Sequence, residues 1–94
     1  MLSKEEAIDI ATNYIKNSSK YDLVILTDHT REFELGWVFF YQSRRYIESG
    51  DYRDMLGGNA PIIVNKHDGS IHVTGTSYKI EKYIEEYLNA QKSR

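Results

Sequence analysis

Three histidines, His29, His67 and His72, are the side chains in this sequence best suited to acid–base or metal chemistry. Asp28-His29 and His67-Asp68 each set a carboxylate beside an imidazole. Adjacency along a chain is not triad geometry, and no Ser or Cys stands in a recognisable nucleophile turn. His67 and His72 flank a turn, and Asp68 is the obvious extra oxygen for a metal. A zinc site needs a third or fourth ligand, and no spacing here matches a zinc signature. Ordinary turn and strand histidines account for all three. Scattered acids do not single out the paired carboxylates of glycoside chemistry. Gly57-Gly58-Asn59 is too short for a phosphate cradle, and it leads into Pro61 and a strand, not a helix N-terminus. The reading is of no catalytic residue, no metal and no cofactor, with a small enzyme or metal protein centred on His67, Asp68 and His72 as the third alternative, behind two protein-binding readings.

Eight tyrosines and one tryptophan need an account in a chain of 94 residues. Tyr14, Tyr83, Tyr87 and Trp37 fit core edges with a polar tip reaching water. Tyr41, Tyr46 and Tyr52 lie on or after the most aromatic stretch and are harder to bury together. Arg44, Arg45 and Arg53 share that segment, and tyrosine, tryptophan and arginine are enriched in interface hot spots. A core rim with solvated arginines is one account, and a protein-binding surface is the other. A formal charge of −2 argues against a nucleic-acid surface, which calls for a basic patch.

The elements that would position these residues follow from periodicity. Ser3-Lys4-Glu5-Glu6 matches a capping box. Ala7, Ile8, Ala11, Tyr14 and Ile15 then share one helical face, with Ile10 at its edge. Asn17 to Lys20 ends that helix. Leu23 to Thr27 reads as a strand covered on both faces, and Asp28 to Glu34 as a connection. Leu35 to Ser43 reads as a central strand. Leu35, Trp37, Phe39 and Tyr41 face one side, and Gly36, Val38, Phe40 and Gln42 the other. Gly36 within it marks a bulge or the close approach of another backbone. Arg44 to Gly50 reads as either a strand end or a helical turn. Asp51 can cap one turn through Leu56, stopped by Gly57. Gly57-Gly58-Asn59 makes a sharp turn, and Pro61, without an N–H, suits the first residue of a strand. Ile62 to Thr74 reads as a hairpin turning at Asp68-Gly69. Ser77 or Thr76 caps a last helix in which Ile80, Tyr83, Ile84, Tyr87 and Leu88 hold amphipathic spacing. The tail from Asn89 to Arg94 is expected to fray. The order α-β-β-loop-β-β-α predicts an α+β domain. Its antiparallel sheet has about four strands, and its N- and C-terminal helices pack on one face.

The length fits a single domain spanning residues 1–94. The absence of cysteine excludes disulfides and thiolate metal sites. The polar start is unlike a signal peptide, and no apolar run approaches the ~20 residues that span a bilayer, so a cytoplasmic protein with no membrane partner is expected.

Several of these stretches carry a resemblance. Gly36-Trp37-Val38-Phe39-Phe40-Tyr41, Tyr46, Gly58-Asn59-Ala60-Pro61-Ile62-Ile63-Val64, Lys66, Asp68-Gly69, Ile71-His72 and Gly75-Thr76 resemble the YrhB-like family, also called the immunity protein 35 family. The resemblance implies a small bacterial cytoplasmic protein that binds and neutralises a cognate toxin, or holds partly unfolded client proteins in a chaperone-like role. It supplies no catalytic residue. With the tyrosine- and arginine-bearing segment, it points to a partner-binding surface of Tyr41, Tyr46, Glu48, Asp51, Tyr52 and Asp54. The turn carrying Gly58, Asn59 and Pro61 lies beside it. Acidic residues there would suit a basic toxin.

Overall fold

The computed structural model describes residues 1–55, 57 and 59–92. Helix α1 runs over Lys4–Ser18. The expected capping box starts it: the Glu6 N–H donates to Ser3 Oγ at 3.1 Å, and the Ser3 N–H donates to Glu6 Oε1 at 3.0 Å. Strand β1 is Leu23–Ile25, β2 Arg31–Phe33, β3 Gly36–Phe39 and β4 Tyr41–Ser43. Helix α2, Arg44–Ser49, and a 3₁₀ turn, Tyr52–Asp54, lead to β5, Ile62–Asn65, and β6, Ile71–Val73. Helix α3 closes the series at Ile80–Lys92.

The strands form two antiparallel sheets, one of four strands in the order β2-β3-β5-β6 and one pairing β1 with β4. The expected central strand supplies both. It breaks at Phe40, so β3 pairs with β2 and β5 while β4 crosses to β1. The polar stretch read as a connection holds β2, which returns to β3 through the two residues Glu34-Leu35, with Phe33 opposite Gly36. Leu35 therefore lies in a turn and packs on the side of Val38, not with Trp37. Gly36 answers its expectation of close approach: a Cβ there would meet the Val64 carbonyl oxygen.

The α+β class stands, but the helices do not share a face. Ala7, Ala11 and Ile15 of α1 are buried against Trp37, Phe39, Ile62 and Val64, and against Leu23 and Ile25 of β1. Tyr87 of α3 is buried with Val38 and Ile63, flanked by Ile80, Ile84 and Phe33. Neighbouring strand residues point to opposite faces, so α1 and α3 sandwich the four-stranded sheet. The reason is visible in the strands: β3 and β5 are apolar on both sides. Two helices on one face would have left Val38 and Ile63 in water.

The hairpin turns where expected. Gly69 takes a φ of +71°, and the Asn65 side chain braces the turn by accepting the His67 N–H at 2.8 Å. Helix α3 begins at Ile80, later than a Ser77 or Thr76 cap would place it, because the Tyr83 hydroxyl takes the N–H groups of Ser77 and Tyr78. It continues through Lys92, past the point where fraying was expected.

Candidate functional site

Ser43 organises the segment that follows β4. Its hydroxyl oxygen accepts the Tyr46 N–H at 3.1 Å, capping α2, and its O–H donates to the Asp54 carbonyl at 2.7 Å. Gly50 ends α2 in the left-handed conformation at φ +69°. Asp51 then caps the 3₁₀ turn as its sequence position suggested, accepting the Arg53 N–H at 3.0 Å. Ser49 Oγ donates to Asp54 Oδ2 at 2.7 Å and accepts the Asp51 N–H at 3.0 Å. A segment of two short helical pieces is thus held by its own polar side chains.

The same bonds decide what each expected site residue can offer. The Arg53 side chain, 2.6 Å away at its closest, holds the Asp51 carboxyl below the usual aspartate range, and the backbone N–H of Arg53 adds to this. Asp54 is paired with Arg45 at 3.2 Å. The acids on this surface are therefore largely neutralised from within. Glu48 is exposed and lines a groove. Tyr46 is half-buried, whereas Tyr52 is 79% exposed. Tyr41 packs at the rim of the α1-side core and donates its O–H to the Ala60 carbonyl at 2.8 Å. Burial first, and the Tyr14 hydroxyl second, push the Tyr41 hydroxyl up from the ordinary tyrosine value. Asn59 Nδ2 donates to the Tyr41 carbonyl at 2.5 Å. The Pro61 carbonyl accepts from both the N–H and the hydroxyl of Thr74, at 3.0 and 2.6 Å. Gly58, and Leu56 at the end of the expected turn, lie outside the described residues.

Tyr41, Asn59 and Pro61 thus tie the chain after the 3₁₀ turn to the sheets, and Tyr52 and Glu48 face water. Two residues missed by sequence reasoning join them: Ile47 and Met55, each 47% exposed. Reading Ser43 as an N-cap and Gly50 as the helix stop would have shown Ile47 on a helical piece too short to bury every face. A groove of about 800 Å³ is lined by Lys20, Tyr21, Asp22, Arg44, Arg45 and Glu48. Arg44 pairs with Asp22 there at 2.8 Å.

His67 is exposed in the hairpin turn, and His72 lies against the Tyr87 ring with centroids 5.3 Å apart. Among the described residues no three or more metal-ligating side chains come together. No helix there is long and apolar enough to cross a membrane. What this arrangement offers chemically is a braced, charge-balanced surface with apolar side chains left in water.

A sequence model of immunity protein 35 matches residues 5–90. The chain belongs to the immunity protein 35 family. It is also similar to the uncharacterised protein YrhB of Escherichia coli K12, with 38% identity over 88 residues, spanning 93% of this chain and 89% of that protein. No solved structure matches the chain significantly. Membership of the immunity protein 35 family implies a protein partner and suggests a non-enzymatic role. The resemblance read from the Gly36-Trp37 strand and the stretch leading into Pro61 is therefore shown at the level of the family.

Proposed function

We propose that this protein is an immunity protein that binds and neutralises a cognate toxin through the surface built by α2 and the 3₁₀ turn. The family match over residues 5–90 carries the reading. Exposed Tyr52, Ile47 and Met55 on a segment pinned by Ser43, Ser49 and Asp54 support this location. Residues 1–94 act as one domain in the cytoplasm. Recognition depends on aromatic and apolar anchors, because Asp51 and Asp54 and the arginines that hold them, Arg53 and Arg45, satisfy one another. Binding blocks the toxin's working surface; no bond is made or broken by this chain.

Replacing Tyr52 with Ala is expected to weaken binding to the captured toxin about tenfold or more, as for a hot-spot side chain. The unfolding midpoint should not move, since Tyr52 is exposed. Tyr46→Ala should weaken binding as well, with some loss of stability. Unchanged affinity in both variants, measured by titration calorimetry, would remove this surface from the account. The same exposed Ile47, Tyr52 and Met55 favour a second reading, in which the surface holds partly unfolded clients. That reading predicts many weak partners and suppression of heat aggregation in place of one tight partner.

A further inference from the structure

The four-stranded sheet ends at β6, and no further strand pairs with that edge among the described residues. Two loop bonds fix which backbone groups face outward: Asn65 N–H to the Ser70 carbonyl at 2.9 Å, and Thr74 N–H to the Pro61 carbonyl at 3.0 Å. With Ile63 opposite His72, these make His72 the residue that bonds β5. The N–H and C=O of Ile71 and of Val73 therefore point away from the sheet, and among the described residues none of the four has a partner. The other edge, β2, is guarded by charge: Arg31 pairs with Glu81 at 2.7 Å and Glu32 with Lys66 at 3.5 Å. Residues 69–78 contain no Asp, Glu, Lys or Arg, in a chain that is 28% charged. Val73, 46% exposed, adds an apolar side chain to this edge.

We infer that the occupant of this edge is β6 of a second copy of the chain, paired antiparallel about a two-fold axis at His72. This is independent of the toxin reading. Unpaired backbone donors and acceptors in extended conformation are satisfied by a strand. The lack of charge then selects which strand: a two-fold axis sets matching segments against each other, so a charge at its centre meets its like. With the axis at His72, Ile71 lies opposite Val73 of the second copy, and Val73 opposite its Ile71. All four outward groups of each copy are then bonded. The apolar side chains meet on the α1 face. The two His72 side chains meet on the α3 face as a non-hydrogen-bonded pair, where Cβ atoms come within about 4.5–5.5 Å. The two four-stranded sheets become one continuous sheet. The paired segment is short, so the dimer dissociates on dilution.

Sedimentation equilibrium over a wide concentration range tests this. The wild-type chain should approach twice its monomer mass as concentration rises. Val73→Pro removes an outward N–H together with the valine side chain and should weaken dimerisation at least tenfold. His72→Lys and His72→Glu should each do the same by like-charge repulsion across the axis. Mixing these two His72 variants should restore a dimer containing one of each. His72 is exposed, so this pair of variants carries the test even if the proline variant fails to fold. A wild-type chain that stays monomeric throughout overturns the inference and leaves the edge to a strand of another protein. A dimer that survives the His72 charge changes, or a mixture that stays monomeric, also overturns it.

Discussion

Gly36 tests the packing of the central sheet because two effects with opposite signs compete there. Only Gly50 and Gly69 among the described residues have positive φ, so the backbone at Gly36 is open to any residue. On that ground alone, Gly36→Ala should stabilise the protein by about 0.4–1 kcal/mol through the unfolded chain. The structure predicts the reverse. An added Cβ would land on the Val64 carbonyl oxygen, 3.0 Å from the Val64 carbonyl carbon and 3.2 Å from Asn65 Cα. All three are backbone atoms, so no rotamer change relieves the clash, and β3 and β5 must part. Overpacking costs about 1–3 kcal/mol, and a weakened ladder bond beside Gly36 adds about 0.5–1.5. Set against the gain through the unfolded chain, a net loss of about 0.5–4 kcal/mol lowers the melting temperature of a chain this size by about 2–30 °C. Trp37, 5% exposed and next in the chain, reports the transition by fluorescence. An alanine variant as stable as wild type, or more so, would refute the close approach of β3 and β5.

Two further outcomes follow from single side chains. Tyr87→Phe keeps the ring packed edge-on against Phe33 at 6.0 Å but removes the hydroxyl that accepts from Asn65 Nδ2 at 2.9 Å. The stranded amide should cost about 1–3 kcal/mol in urea unfolding, and a neutral result would show that Asn65 finds another partner. The Ser3 backbone N–H, and then its hydroxyl, hold the Glu6 carboxyl below the usual glutamate range. A carboxyl whose folded value is lowered stabilises the protein above its unfolded value, and loses that contribution as pH falls through the folded one. Wild type should exceed a Glu6→Gln variant most above the glutamate range and converge with it on acidification; a gap independent of pH would contradict the assigned cause.

The parts of the fold written in local chemistry were legible. Ser3 and Glu6 announce α1 because both halves of the capping box are four residues apart or less, and Gly69 announces the hairpin because its φ requires glycine. Strand β2 was missed because its turn, Glu34-Leu35, uses no positive φ and so leaves no glycine or asparagine signal. The break at Phe40 is a tertiary choice: nothing local distinguishes Phe39 pairing with Ile62 from Tyr41 pairing with Ile25. The placement of α3 was misjudged although both faces of the aromatic strand were visibly apolar. At the candidate surface, composition marked a segment on which the structure leaves Ile47, Tyr52 and Met55 exposed. The long-range bonds from Tyr41 to Ala60 and from Asn59 to Tyr41, which give those residues framework roles, have no sequence signature.

The central claim, toxin neutralisation, is tested most directly by a gentle pull-down of the tagged protein from its host. Stoichiometric partners are then produced alone and together with this chain, and growth is measured. The account predicts one partner that arrests growth alone and is harmless when this protein is present. A partner set in which no member is toxic, or a toxic partner whose effect this protein does not relieve, would contradict it.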